Sequence, residues 1–369
     1  MEEEKEEIIN EININNNIIS MGNVFKVCKS TVKIEIKGKG KSSGFFLKCK
    51  RGEKPFYSIM TNQHVISSDI INQCKTIVIK YENETKELNI ELNEKERIII
   101  CFEESLKIDV TIIEIIKKDN IDEDYFLYPY ENKIENSEDF IGQKIQVVQF
   151  PGSKDLSLSN GKITGIDPNN YNNFYHNSDT EKGSSGSPIV LDGEDKVIAI
   201  HKGSIKNKKK NVGIFIGIII DLIKDYKING EKKDFYENGE LKYEGNFLND
   251  EYDGEGKLYN ENGEIYMGEF KQGAKNGFGR IIKNDYIIKE GLFFNDEFIE
   301  GDDFSNEYED IKDKIKDKKD TDLNYEENKK NVENILGDII EEKLEAVGDA
   351  VGKLKDEAVE KFEENCLIF

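Results

Sequence analysis

Between about residue 22 and residue 228 the chain is a series of short apolar stretches interrupted by Gly, Asn and charged residues, and that texture restricts the fold more than any other feature. The stretches include Thr31–Ile36, Thr76–Tyr81, Ile98–Phe102, Val110–Ile115, Lys144–Phe150 and Val197–Ile200. Each is too short for a stable helix and enriched in β-branched residues, and the first alternates polar with apolar, so strands are predicted. Many short strands at such spacing imply an all-β barrel or sandwich.

Past residue 232 the texture changes to a repeat with a period near 23 residues. Tyr243, Gly245 and Phe247 open one unit, which Gly254 and Gly256 close; Tyr266, Gly268 and Phe270 open the next, closed by Gly277 and Gly279. A weaker copy runs from Lys289 to Gly301, and a weak lead-in from Asp234 to Gly239. Aromatic rings stacked on neighbouring hairpins, with glycines permitting tight turns, account for this pattern. Residues 302–325 are dominated by Asp, Lys and Glu and read as a solvated linker. Beyond them Val332, Leu336, Ile340, Leu344, Val347, Val351, Leu354, Ala358 and Phe362 recur at three- and four-residue intervals, which predicts one amphipathic helix over 326–365. The organisation expected is therefore an acidic segment at 1–21, a globular β domain at 22–228, a repeat array at 232–301, a linker, a helix, and a tail at 366–369.

The net charge of −23 argues against nucleic acid as a partner, because phosphate binding is driven by clustered Lys and Arg. The acidic N-terminus lacks the basic and then apolar character of a secretory signal. The longest apolar run, Gly213–Ile220, is strand-sized and too short to cross a bilayer. Five cysteines without metal-ligand spacing are expected to be reduced thiols. A cytoplasmic protein is the reading these features favour, and no metal or organic cofactor is implied.

Three segments carry the components of nucleophilic catalysis. Peptide hydrolysis by a serine needs a base for the hydroxyl proton, a carboxylate to hold that base in its tautomer, and amide donors for the oxyanion. His64 follows Thr61 at the end of an apolar stretch; Asp109 precedes Val110 and Thr111; Ser185 sits between Gly183 and Gly186, ahead of Pro188.

In that order and setting, the motifs Thr61 to His64, Asp109 to Thr111 and Gly183 to Pro188 resemble the trypsin-like serine peptidases of chymotrypsin fold, and in particular their glutamyl-endopeptidase-like branch. The resemblance covers roughly residues 22–228. It implies a mainly β, two-barrel peptidase domain in which His64 is the general base, Asp109 orients it, Ser185 is the nucleophile, and the amides of Gly183 and Ser185 form the oxyanion hole. It further implies a primary specificity pocket lined by Thr180, His201 and Gly203, suited to a substrate Glu or Asp; the alternative is that His201 is an ordinary strand residue of the wider family. Ser184 stands where many zymogens have the Asp that pairs with a new amino terminus, so activation of that kind is not expected.

The Tyr-x-Gly-x-Phe and Gly-x-Gly units resemble MORN repeats, which implies a β-hairpin array serving membrane association or protein assembly; protein binding is the favoured reading, since the array lacks a basic surface. The last four residues, Cys366, Leu367, Ile368 and Phe369, resemble the prenylation box of eukaryotic lipoproteins, which implies a lipid on Cys366 and a position on the cytosolic face of a membrane. The rival to a hydrolase is a catalytically silent trypsin-fold scaffold that binds peptides.

Overall fold

In the computed structural model, residues 11–14, 17–102, 108–130, 137–205, 210–306 and Tyr308 are described. The helix expected over 326–365 and the tail with Cys366 lie outside them. The chain divides into two compact units, residues 1–301 and residues 302–369. The first unit opens with the hairpin β1 (Glu11–Ile14) and β2 (Asn17–Ser20), then helix α1 (Met21–Ser30). The first large sheet is built from β3 (Thr31–Ile36), β4 (Gly40–Arg51), β5 (Lys54–Thr61), β6 (Thr76–Tyr81), β7 (Lys86–Glu91), β8 (Ile99–Cys101) and β9 (Thr111–Glu114), with helix α2 (Ser68–Gln73) between β5 and β6. Its strand order is β7-β6-β3-β4-β5-β9-β8, with an open seam between the end strands β7 and β8. Alternation decides which residues enter its interior: Val32, Ile34 and Ile36 from β3 meet Ile77 and Ile79 from β6, and Ile70 and Ile71 of α2 join the same core.

The second half closes completely. Strands β10 (Lys144–Gln149), β11 (Ser157–Ile166), β12 (Asn173–His176), β13 (Pro188–Leu191), β14 (Val197–Ile205) and β15 (Lys210–Phe215) form a six-stranded barrel in the order β10-β11-β12-β15-β14-β13. Closure removes both sheet edges. Between sheet and barrel lies an apolar core to which Phe45, Met60 and Val110 contribute from one side and Val148, Val190 and Ile200 from the other.

Helix α3 (Ile216–Asp225) begins inside the apolar run Gly213–Ile220, which is strand-sized in length but divides between β15 and this helix. The strand stops at Phe215, and Ile216, Ile219 and Ile223 are buried at helical spacing against the inter-barrel core. With Asp221, Lys224 and Asp225 left for the outer side, this segment satisfies a period of 3.6 and not of 2.

The repeat region is one antiparallel meander of β16 (Gly230–Phe235), β17 (Leu241–Leu248), β18 (Glu251–Tyr259), β19 (Glu264–Lys271), β20 (Ala274–Lys283), β21 (Tyr286–Phe294) and β22 (Glu297–Asp303). The 23-residue period is visible atom by atom. Tyr243 is fully buried and its hydroxyl donates to Asn246 O at 2.9 Å; Tyr266 is equally buried and donates to Glu269 O at 3.0 Å. Each tyrosine meets the next aromatic edge-on, Phe247 at 5.2 Å and Phe270 at 5.1 Å between centroids. Glycine is required where those rings lie: a Cβ on Gly256 would stand 2.3 Å from the Tyr243 hydroxyl, and one on Gly279 2.4 Å from that of Tyr266. The first hairpins are tied to the first sheet through Arg51 and Asp250 at 2.5 Å, and through Lys233 N–H donating to Lys95 O at 2.7 Å.

Candidate active site

The histidine and the aspartate are brought together by strand register. β5 and β9 pair with Thr61 opposite Thr111, so the turn that leaves β5 lies beside the residues that lead into β9. Two hydrogen bonds fix the turn: Asn62 Nδ2 donates to Asp109 O at 2.8 Å, and Thr111 Oγ1 donates to Ile66 O at 2.7 Å. His64 then meets the Asp109 carboxylate twice, its backbone N–H donating to Oδ1 at 2.9 Å and its ring Nδ1 lying 2.7 Å from Oδ2. Burial alone would raise the Asp109 carboxyl, but the His64 ring and backbone bonds, aided by Lys202, hold it below the usual carboxylate range. The imidazole remains accessible, with 48% of its side chain exposed against 13% for Asp109.

Ser185 belongs to a tight loop ahead of β13, held by Ser184 N–H to Glu181 O at 3.0 Å and Ser187 N–H to Ser184 O at 3.1 Å. Gly183 and Gly186 lie at φ +98° and +89°, a region that strains any residue with a Cβ. At Gly186 a Cβ would also sit 2.1 Å from Ser43 O. The first sheet grips the loop from outside. Ser43 Oγ donates to Gly183 O at 2.8 Å, Ser43 N–H donates to Ser185 O at 3.1 Å, and Ser42 Oγ donates to the same oxygen at 2.9 Å. These carbonyls are turned away from the cleft, and among the described residues the amide N–H groups of Gly183 and Ser185 have no acceptor. Two unengaged donors with one residue between them are what an oxyanion needs. The Ser185 hydroxyl donates to Lys202 O at 3.2 Å, and no hydrogen bond joins it to His64.

The residues expected to line the specificity pocket have a more mixed placement. His201, 1% exposed, stacks edgewise on His176, with its Nδ1 3.2 Å from His176 Nε2. Burial, the His176 ring and His64 push His201 well below the ordinary imidazole range, and burial pushes His176 down to about 4. Both rings are therefore neutral at pH 7. His176 Nδ1 is buried without a partner, which costs less as a lone pair than as an N–H; the pair is then satisfied when His176 donates and His201 keeps its proton on Nε2, as a donor. Thr180 does not present a free hydroxyl, since its Oγ1 donates to Asn211 Oδ1 at 3.0 Å. Gly203 lies at φ +154° beside a bulge in the β14–β15 pairing.

Sequence reasoning missed Ser43, Asn62, His176 and Asn211. Asn62 lay inside the motif already quoted, and His176 is one of only three histidines, but nothing in the chain signals that His176 and His201 meet across two strands.

Residues 42–200 match the family described as trypsin-like peptidase domain, and residues 243–265 and 266–286 each match the MORN repeat. No curated protein matches the chain. Among solved structures, the inactive form of the Rv3671c protease of M. tuberculosis H37Rv is similar at 16% identity and TM-score 0.39, covering 54% of this chain and 89% of that one. Deg5 is similar at 19% identity and TM-score 0.40, covering 60% and 97%. The chain thus carries a trypsin-like β domain followed by MORN repeats.

Proposed function

We propose that the protein is a serine endopeptidase in which Ser185, His64 and Asp109 act as the catalytic triad. The observation that carries this reading is the doubly bonded His64–Asp109 pair facing a loop that leaves the amides of Gly183 and Ser185 unengaged. In the mechanism, the Ser185 hydroxyl turns from Lys202 O toward His64 and attacks the scissile carbonyl carbon while His64 Nε2 takes its proton. Asp109 keeps the other ring proton on Nδ1 and stabilises the imidazolium. The oxyanion is held by the Gly183 and Ser185 amides. His64 then gives its proton to the departing amine, and a water deprotonated by His64 hydrolyses the acyl-enzyme.

Cleavage after Glu or Asp is the preference proposed, with His201 Nε2–H as the donor to the substrate carboxylate and His176 fixing that tautomer. Thr180 would assist only by releasing Asn211. Digestion of a peptide library by the purified protein, with products read by mass spectrometry, tests this: cuts after acidic residues are expected, and cuts after Arg or Leu would reject the preference.

The MORN array is proposed to bind a protein partner and a prenyl group on Cys366 to hold the chain on the cytosolic face of a membrane, with 22–228 and 232–301 as the working domain limits. One prenyl chain anchors weakly, and Glu363 and Glu364 supply no basic support, so a partner must contribute. Unchanged membrane fractionation of Cys366→Ser would sink the lipid anchor. A second reading, a catalytically silent peptide-binding scaffold, is favoured by the one observation that Ser185 bonds Lys202 O and not His64.

A further inference from the structure

The amides of Gly183 and Ser185 have no acceptor among the described residues, yet each is tied through the other end of its own peptide plane. A trans peptide is flat, its C=O and N–H point in opposite directions, and the described backbone holds no cis bond. Whatever holds the Lys182 carbonyl therefore aims the Gly183 N–H, and whatever holds the Ser184 carbonyl aims the Ser185 N–H. The second tie is local: Ser187 N–H donates to Ser184 O at 3.1 Å, closing a turn within the loop. The first comes from elsewhere in the chain. Gly152 N–H donates to Lys182 O at 2.7 Å, and among the described residues that carbonyl has no other donor.

Gly152 lies in the turn Pro151–Ser153, just past the end of β10, with φ +62° and Ser153 next to it at φ +59°. Ser153 N–H donates to Phe150 O and Lys154 N–H to Pro151 O, each at 3.1 Å, so the turn is closed on itself. Strand β4 anchors it at both ends: Phe150 N–H donates to Ser43 Oγ at 3.1 Å, and Ser153 Oγ donates to Lys41 O at 3.3 Å. Gly183 rests against the same turn, since a Cβ there would stand 2.8 Å from Phe150 O and 2.9 Å from Ser153 N. A glycine offers little steric resistance to rotation of the peptide that precedes it. The Lys182–Gly183 peptide thus carries no strong preference of its own, and the bond from Gly152 supplies its direction.

We infer that Gly152 is a positioning residue of the oxyanion site: its N–H holds the Lys182 carbonyl on the side of the turn, which leaves the Gly183 N–H aimed the opposite way, with no protein acceptor ahead of it. The inference rests on the reading of Gly183 as an oxyanion donor and names what aims that donor. Released from Gly152, the peptide is free to rotate and present a carbonyl lone pair where the N–H stood. Loss of one oxyanion donor lowers kcat by about 10²–10³.

The test compares three full-length variants at this one exposed position. A Cβ on Gly152 meets only outer atoms of the Glu181 and Lys154 side chains, the nearest at 3.1 Å, so a side chain is accommodated there. Gly152→Asn keeps the N–H and a positive φ, which Asn adopts readily; Gly152→Val keeps the N–H but disfavours that φ; Gly152→Pro removes the N–H and fixes φ near −65°. In steady-state kinetics on a peptide substrate, Pro is expected to lower kcat by about 10²–10³ and Val by a smaller factor, with KM within about twofold, while Asn keeps kcat within about threefold. A Pro variant within about tenfold of wild type, or an Asn variant that loses as much as Pro, overturns the inference. If Gly152→Pro does not fold, Val against Asn decides alone, and a Val variant as active as Asn overturns it. Crystal structures of the same variants on a Ser185→Ala background read the Lys182 carbonyl directly. A rotated carbonyl in a protein whose wild type hydrolyses no peptide removes the peptidase reading and leaves the positioning standing; a carbonyl that keeps its wild-type direction without the Gly152 N–H overturns the positioning alone.

Discussion

His64 holds Asp109 through two separate atoms, backbone N–H to Oδ1 at 2.9 Å and ring Nδ1 to Oδ2 at 2.7 Å, so the carboxylate is oriented even before the imidazole takes a proton. Asp109→Asn keeps the shape of that contact but offers an N–H where the ring needs an acceptor. The wrong tautomer then faces Ser185. A fall in kcat of about 10⁴ is expected with KM little changed, by analogy with the same exchange in chymotrypsin-type enzymes. Steady-state kinetics on an acidic peptide substrate check it; a loss below tenfold would mean that Asp109 does not orient the base.

The neutral pair His176 and His201 makes the fold acid-sensitive. Burial holds His176 at about 4 and His201 well below its ordinary 6.5, whereas both titrate near 6.5 when unfolded. Between these values the unfolded chain binds more protons than the folded one, so stability is full above about pH 7 and falls as pH drops from 6.5 toward 4. Thermal melts at pH 7.5, 6, 5 and 4.5 should show Tm declining over that window. In His176→Asn the decline should be shallower; a Tm that stays level down to pH 5 would contradict the burial of two neutral imidazoles.

Arg97 and Asp119 form a bidentate pair at 2.8 and 3.1 Å, and both side chains are almost fully enclosed. Asp119 also accepts Ile116 N–H, and Arg97 donates to Glu114 O. Removing one partner strands a buried charge, so Asp119→Ala should cost about 3–5 kcal/mol in chemical denaturation, while Arg97→Met/Asp119→Leu recovers most of it. Equal losses in the single and double variants would show that the pair itself, and not the stranded charge, sets the cost.

In the array, two glycines separate steric need from backbone need. Gly279→Ala would place a methyl group 2.4 Å from the Tyr266 hydroxyl, whereas Gly263, at φ +81°, has open space around it. The first should cost about 1–3 kcal/mol through overpacking and the second about 1 kcal/mol through strain. Limited proteolysis and urea melts should rank Gly279→Ala as the more damaging. The reverse ranking would remove Tyr266 from its assigned place under the glycine row.

How much of this was legible depended on whether a signal was local. Thr31–Ile36 is a strand as its alternation predicts, Thr76–Tyr81 is one as its β-branched content predicts, and Tyr243 and Tyr266, 23 residues apart, occupy equivalent positions. The weak lead-in runs from the end of β16 into the turn before β17 and the third copy spans β21, its turn and β22, so both belong to the same meander although they lie outside the matched repeats at 243–286. The helix Ile216–Asp225 has no local signal that sets it apart, because Ile216 and Ile218–Ile220 satisfy strand and helix alike, and only the core between sheet and barrel, which accepts every third or fourth residue, decides between them. The contacts that shape the Ser185 loop come from Ser42 and Ser43, 143 and 140 residues before the loop carbonyls they bind, two serines that look like an ordinary turn in the sequence. His176 was invisible for the same reason: its partner lies across β15, at His201.

Reaction with a fluorophosphonate probe tests the central claim most directly, since it requires a nucleophilic serine, its base and its oxyanion donors together. Full-length wild-type protein is predicted to be labelled on Ser185, with labelling abolished in Ser185→Ala and greatly slowed in Asp109→Asn. Folded wild-type protein that takes no label, or label that persists in Ser185→Ala, would contradict the account.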